Sequence, residues 1–582
     1  MRKTLFALLL LGAVSFGQQL TVQQRVDDFQ YLASVVSRNS ATIAWKKQAF
    51  GFDARDLGPW LEKVRAAKDD LEYYDILIDY TASFRDYYTY LTLPSDYVAW
   101  MSFTADVYEG KAIVESIDRD ILPEADYNLA VGDEIVSIDG KAASDLLEKI
   151  GKYFVDSNPE STRRAAAELL TYRTQAFMPP AAQVGTTATV VLKKANGTTV
   201  TLQVPWQTSG TAMSVGPVVD IMTSRRAPGS PRQPRVPNAA NAIELPLHER
   251  LQEEIDGSGR RRAGGRLAAA ELNPSAQVES ATPGIESVGS FEPIYALPAG
   301  FVQRRGTSFS DWFFSGSFTS GGKRIGLIRF AEWSSSSSFT SQLDTEIAWM
   351  NANTDVLVID QMRDDLTSIC GSDAAAARFI GKAYRQPGIQ FRATWANVQT
   401  FQATLDSAIE GGASADQVAL YQNLVNDLRD KYYSGGGNAA PYPFCGTSLD
   451  RNAVRASNGT IVNYEKPILL LTDELSSDHF AATVKDNREA RIQQFGMPTS
   501  GRLGVSINGP GGAFTETTVH VKDGVSVRPK ATARPGFPET TYIENAGVYP
   551  EIVNNYMTLD NFRTKGAAFV EAFTKAAVAL VQ

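Results

Sequence analysis

Ser476 and Ser477 stand where a side chain could become a nucleophile by position. They follow an apolar run, Ile468 to Leu471, and a polar turn that starts at Thr472, and they precede a helix predicted to open near Asp478. A hydroxyl at such a turn faces the unpaired N–H groups and the positive end of the helix dipole, which favour a developing oxyanion. The same pattern also makes an ordinary N-cap, with Ser476 or Ser477 capping the helix. Serine catalysis needs three further parts: a base of near-neutral pKa, an orienting carboxylate, and backbone donors for the oxyanion. The chain has three histidines to offer as base. His479 lies about one turn into the new helix and off the line to the Ser476 hydroxyl, His520 sits in the alternating run TETTVHVKDG, and His248 falls in a Pro- and Gly-rich stretch. Each reads as structural or solvated.

The elements that would position these groups change along the chain. Residues 20–95 carry apolar residues at helical spacing, as in VQQRVDDFQYLASVV, and predict an N-terminal helical domain over 20–100. Residues 101–206 resemble a PDZ-like domain, through the run Gly132 to Gly140 and a hairpin turning at Asn196-Gly197. Such modules add an extended chain to a sheet edge, although a module kept only as a structural wedge fits as well. Residues 209–300 are rich in Pro, Gly, Ala and Ser with little apolar periodicity, and predict a disordered insertion. After it, RIGLIRF, TDVLVID and KPILLLT are strand-like apolar runs separated by helical segments, which points to an α/β domain over 301–582 with crossovers.

Lys485, Asp486 and Asn487, the run Gly496 to Gly501, VLVIDQ (Val356 to Gln361) and YIENAGVYPE (Tyr542 to Glu551) together resemble the tail-specific (C-terminal processing) serine peptidases. Within that family the likeness is to the branch of the chlamydial protease-like activity factor and its bacterial homologues. The resemblance implies a multi-domain α+β protein: N-terminal helices, a PDZ-like domain and a C-terminal α/β peptidase domain of the crotonase-like or ClpP-like kind.

It also says where the catalytic parts should be. Tyr88 stands at the histidine's place in SFRDYYTYLTLP, and a phenol of pKa about 10 cannot act as base at pH 7. Members that use a lysine carry it just after the G-x-x-T-x-G loop, where this chain has Arg502, whose guanidinium stays charged. The family's serine lies three residues before the acidic residue that opens the helix, which here is Leu475, so the nucleophile is either Ser476, displaced, or lost. Leu366 and Thr367 occupy the oxyanion-hole positions that relatives fill with glycines, and Asp364 and Asp365 add negative charge beside them. Glu544 matches the acidic triad member, and with no histidine to orient it reads as a surface or loop hydrogen-bonding group.

The expected function is therefore that of a secreted, catalytically degenerate homologue that binds unfolded or extended polypeptide. The alternative is an active serine endopeptidase using Ser476 with a rearranged base. No cofactor or metal is implied, since two cysteines without metal-like spacing and scattered histidines do not make a zinc site. Cys370 and Cys445 fit either one disulfide or two thiols. A net charge of −9 argues against nucleic acid as a partner. A homodimer is compatible with the resemblance. Arg2 and Lys3, the apolar run Leu5 to Val14 and small residues up to Gly17 have the form of a signal peptide over 1–17, and no other stretch is long enough to span a membrane. The protein is thus expected to be periplasmic or secreted. Limited proteolysis should cut first near Arg260 to Arg266, where glycines and arginines coincide; resistance there while other loops are nicked would count against a disordered insertion.

Overall fold

Two alternating sets of apolar side chains explain the centre of the molecule. Strand Val356–Asp360 pairs in parallel with Ile468–Thr472, with Leu357 opposite Ile468 and Val358 opposite Leu469. Leu357, Ile359, Ile468 and Leu470 pack with Phe339, Phe379 and Phe480 on one face. Val356, Val358, Leu469 and Leu471 pack with Phe569 and Phe573 on the other. Both faces are covered, which is why these strands are continuous apolar runs rather than alternating ones. They are interior neighbours, as the sequence predicts, in a sheet ordered Val302–Arg305, Phe314–Ser320, Lys323–Arg329, Val356–Asp360, Ile468–Thr472, Ile492–Gly496 and Ile552–Val553.

The computed structural model describes residues 19–213, 285–286, 291–308, 310–364, 368–488 and 491–582. The leader-like segment 1–17, most of the 209–300 insertion, and Asp365, Leu366 and Thr367 lie outside the described residues. The stretch expected to be disordered is nonetheless ordered at its far end. Phe291, Ile294 and Tyr295 are buried against the C-terminal helix Ala567–Ala579, and the Tyr295 hydroxyl donates to Asp360 Oδ2 at 3.0 Å. An apolar cluster this dense stabilises the segment by burial, a signal hidden in the sequence by the Pro- and Ser-rich residues before it. Among the described residues no helix is long and apolar enough to cross a membrane.

The N-terminal helices Val22–Asn39, Ile43–Phe50, Gly58–Ala66 and Asp70–Ala82 form as their spacing predicts. The first opens on a capping box in which the Thr21 and Gln24 side chains satisfy each other's backbone N–H groups. This region is not separate from the rest. Its Asp28 accepts from the backbone N–H groups of Ala513 (2.6 Å) and Phe514 (2.9 Å), and strand Tyr90–Thr92 joins the sheet built on the long strand Thr518–Arg534.

The middle module is a mostly antiparallel sheet that includes strands Phe103–Tyr108, Lys111–Asp118, Glu134–Ile138, Thr187–Lys193 and Thr199–Pro205, with helix Pro159–Thr171 packed along the first of them. Gly197 turns the last hairpin at φ +86°, as the Asn-Gly pair predicts. A disulfide joins Cys370 to Cys445, with Cα atoms 5.5 Å apart, and ties helix Ile369–Ile380 to the loop after Tyr442–Pro443.

Buried arginines fasten the middle module to the sheet. Arg164 of helix Pro159–Thr171 reaches Asp106 (2.8 Å), Asp473 (2.8 Å) and Glu474 (3.2 Å), and Arg363 reaches Asp106 (3.0 Å) and Glu115 (2.6 Å). Desolvation penalises every charge here. At Asp473 Arg164 and Arg363 outweigh it and hold the carboxyl at about 2, whereas burial pushes Glu474 up. Removing one member of such a cluster leaves charges buried without compensation, at about 3–5 kcal/mol. Arg164→Met should therefore lower the urea midpoint by a corresponding amount; a change under about 1 kcal/mol would show that the cluster does not fasten the two parts.

Candidate functional site

The turn between strand Ile468–Thr472 and helix Asp478–Arg488 is closed from inside. The Ser476 hydroxyl donates to the Gln361 carbonyl (2.8 Å) and accepts from the Asp473 N–H (2.8 Å), and the residue is fully buried. The hydroxyl also lies 3.0 Å from Asp473 Oδ1, so backbone and the turn's own carboxylate hold it. Next to it the Ser477 N–H donates to Asp364 Oδ1 (2.6 Å), and its hydroxyl donates to Asp364 Oδ2, which also accepts from Trp333 Nε1 (2.5 Å). Asp364, expected as a repulsive charge beside the oxyanion, instead faces inward and caps the start of the helix. Burial pushes its carboxyl up to about 7, against the pull of the Ser477 and Trp333 hydrogen bonds.

Asp478 explains why the loop after strand Ile492–Gly496 is fixed. Its carboxylate accepts from Thr499 Oγ1 (2.5 Å) and from the N–H groups of Gly501 (2.8 Å), Arg502 (2.9 Å) and Leu503 (3.1 Å). The loop's glycines are required by shape. Gly496 has φ +118° and a Cβ there would lie 2.1 Å from the Thr472 carbonyl; Gly501 has φ +70° with the Gly547 N–H 3.0 Å from where its Cβ would be.

The structure does bring the base and acid positions together, but around lysines. Glu544 lies in the turn after strand Phe537–Tyr542, a loop position as expected, but it is fully buried and not at the surface. Its Oε1 accepts from Lys46 Nζ (2.5 Å) and its Oε2 from Lys522 Nζ. Lys522 also pairs with Asp86 (3.4 Å) and donates to the Arg502 carbonyl (3.0 Å), and its ammonium lies 5.2 Å from the Tyr88 ring. Tyr88 itself is buried, its N–H donating to Asp86 Oδ1 at 3.0 Å. Burial pulls against the Lys522 charge, but Asp86 and Glu544 outweigh it and push the ammonium above its usual value. Asp86 is held below the usual carboxylate range, since Lys522 and Lys46 overcome its burial. Lys522, held in its charged form, is not available as a general base at neutral pH, whereas burial pulls Lys46 below its usual value against the attraction of Glu544 and Asp86. Glu544 is engaged by an ammonium on each oxygen, so its charge is balanced by lysines and not by an imidazole.

The histidines are placed elsewhere. His479 is fully buried, its Nε2 3.7 Å from Asp373 Oδ1 and its ring edge-on to Phe444, and it does not contact Ser476. His520 stacks on Tyr90 with centroids 4.3 Å apart, and His248 lies outside the described residues. Leu475 is at the turn with its N–H donating to Asp473 Oδ1 (3.2 Å). The guanidinium of Arg502 sits 5.1 Å from the Tyr87 ring and 3.4 Å from Asp156.

Sequence reasoning missed Lys46, Lys522 and Asp86. Asp86 stood two residues before Tyr88 and was available as a signal. Lys46 was not, because it meets Glu544 across 498 positions of chain.

Comparison with known proteins agrees with this architecture. A PDZ domain model matches residues 97–213. The structure of mature CPAF complexed with lactacystin is similar to this chain at a TM-score of 0.67 and 18% identity, over 96% of this chain and 99% of that one. A second structure of mature CPAF gives a TM-score of 0.67 and 18% identity, over 96% and 98%. No curated protein sequence matches. The chain has the CPAF fold, and the likeness to tail-specific peptidases read from its sequence holds at the level of architecture.

The raised carboxyls make a pH prediction. Asp364 and Asp523 are both pushed up to about 7 by burial from an ordinary value of 3.8. Between those values the folded state holds protons that the unfolded chain releases, so stability present at low pH is lost as pH rises to about 7. The melting temperature should fall between about pH 4 and pH 7, and Asp364→Asn should flatten that fall. An unchanged slope in the variant would remove Asp364 as its source.

Proposed function

We propose that this chain is a catalytically silent relative of the tail-specific peptidases that holds extended polypeptide without cutting it. One observation carries the first half: Glu544 spends both carboxylate oxygens on Lys46 and Lys522, with Tyr88 beside them where a base is needed. Ser476 supports it, since its hydroxyl is fully buried and committed to backbone partners and to the Asp473 carboxylate.

The binding half rests on the PDZ module and on which of its edges is open. Strand Phe103–Tyr108 has Lys111–Asp118 on one side and helix Pro159–Thr171 packed along it, and Arg164 spans to Asp106 at 2.8 Å, so no strand fits between strand and helix. Strand Thr199–Pro205 differs. Among the described residues it pairs only with Thr187–Lys193, and Thr199, Thr201 and Gln203 are exposed along it. An extended chain adding there would gain main-chain hydrogen bonds independent of sequence. Export fits this reading: the leader-like segment over 1–17 and the Cys370–Cys445 bond both suit an oxidising compartment.

Purified protein should neither cleave unfolded casein nor react with a fluorophosphonate probe, and Tyr88→His alone should not restore either, because Glu544 already balances two buried ammonium groups and the Ser476 hydroxyl stays buried. Casein should be retained, and lysines placed at Thr199 and Thr201 should weaken retention by opposing strand addition. Cleavage that Ser476→Ala abolishes would establish the active endopeptidase instead.

A further inference from the structure

We propose a second interaction surface, at the end of the helical hairpin formed by Trp395–Glu410 and Ala415–Tyr433, which takes an acidic polypeptide segment that carries an apolar or aromatic side chain next to its carboxylate. It goes beyond the edge-strand reading above and rests on different residues.

Aromatic side chains collect at this end in water. Trp395 is 43% exposed, Tyr432 42% and Tyr433 71%, while Trp45 and Trp333 are almost fully buried. The exposed rings touch one another, with centroids 5.7 Å apart for Trp395 and Tyr432, 6.4 Å for Trp395 and Tyr433, and 5.5 Å for Tyr432 and Tyr433. Exposed large apolar groups are ordinary when scattered, but a contiguous cluster marks a contact site.

Beside the rings lies a cation without a counter-charge. Arg392 Nε donates to the Arg38 carbonyl (3.3 Å), and its Nη1 and Nη2 have no acceptor among the described residues. The Gly435 to Gly437 turn runs along it: a Cβ on Gly436, at φ +93°, would lie 3.9 Å from Nη2, and the Ala393 N–H donates to the Gly437 carbonyl at 2.9 Å. Burial, and then the nearby Arg55, pull the Arg392 guanidinium below its usual value, the direction expected of a cation short of an anion. Arg164 and Arg528, by contrast, are paired with carboxylates, Arg164 with Asp106 and Arg528 with Asp486 (3.0 Å).

Charge complementarity fixes one half of the ligand. The two free guanidinium nitrogens form a fork that suits a carboxylate bidentately. The rings fix the other half. They are inclined to one another at 45°, 58° and 68°, so they offer edges and faces to an apolar side chain and not the flat platform on which a sugar ring stacks. A carboxylate and an apolar side chain within one short segment describe an acidic peptide.

The test uses the full chain and a fluorescein-labelled peptide of repeating Asp-Phe-Asp-Leu, with an Asn-Phe-Asn-Leu peptide as its neutral counterpart, read by fluorescence anisotropy. The acidic peptide should bind about tenfold more tightly than the neutral one and lose that advantage in Arg392→Gln. Trp395→Ala combined with Tyr433→Ala should weaken both peptides, and circular dichroism should be unchanged because these rings are exposed. Equal binding of the two peptides, or binding unaffected by both sets of variants, would overturn the proposal. So would a charged oligogalacturonide that binds in preference to the peptide through the same residues. Casein retention through Thr199 and Thr201 reads the edge strand separately, so failure here is distinguishable from failure there.

Discussion

A carboxylate removed from water must be matched, and Glu544 is the place where this constraint shapes the molecule. Its two oxygens draw Lys46 from the N-terminal helix Ile43–Phe50 and Lys522 from the long strand Thr518–Arg534. The second lysine is then balanced by Asp86, from the turn before Tyr90–Thr92. Asn545 completes the cluster, accepting from Lys46 (2.6 Å) and Trp45 (3.1 Å) and donating to the carbonyls of Arg85 (2.8 Å) and Ser157 (2.5 Å). Four parts of the chain therefore meet at one charge-balanced point. Breaking any buried pair leaves a naked charge at a cost of several kcal/mol, which is a large share of a domain's net stability.

The same reasoning applies on the other side of the nucleophile turn. Asp473 and Glu474 belong to that turn, and Arg164 and Asp106 belong to the PDZ module. The turn is held further by Ser161, whose hydroxyl donates to the Glu474 carbonyl (2.9 Å), and the loop by Asn158, which donates to the Ser500 carbonyl (2.9 Å). A turn that presents a nucleophile needs an oxygen free to leave its ground-state hydrogen bonds. Here the charges and hydrogen bonds that fasten the module also fasten the turn, so what stabilises the fold works against reactivity.

How much of this was legible depended on sequence distance. Val356–Asp360 and Ile468–Thr472 were readable because burial on both faces writes itself into consecutive residues. Asn196-Gly197 was readable because only residues tolerant of positive φ make that turn. Tyr88, Arg502 and Leu475 could be placed by resemblance, which told what was absent but not what replaced it. The replacement was invisible: Lys46 and Glu544 are 498 positions apart, and nothing in WKKQAF distinguishes a buried lysine from a solvated one. Phe291 to Tyr295 were assigned to the insertion because composition averages over a window, whereas packing is decided by a few side chains.

The altered positions are better understood together than singly. Loss of an imidazole alone would leave Glu544 buried with an unpaired charge, and the fold could not keep it without a cation. Lys46 and Lys522 meet that need, and Asp86 keeps the second lysine from being uncompensated. With them in place a histidine at position 88 would meet a carboxylate whose charge is already balanced and an ammonium, that of Lys522, beside it. The four charges therefore depend on one another, and the site is held as an ionic core in which desolvation makes each ion need its partner.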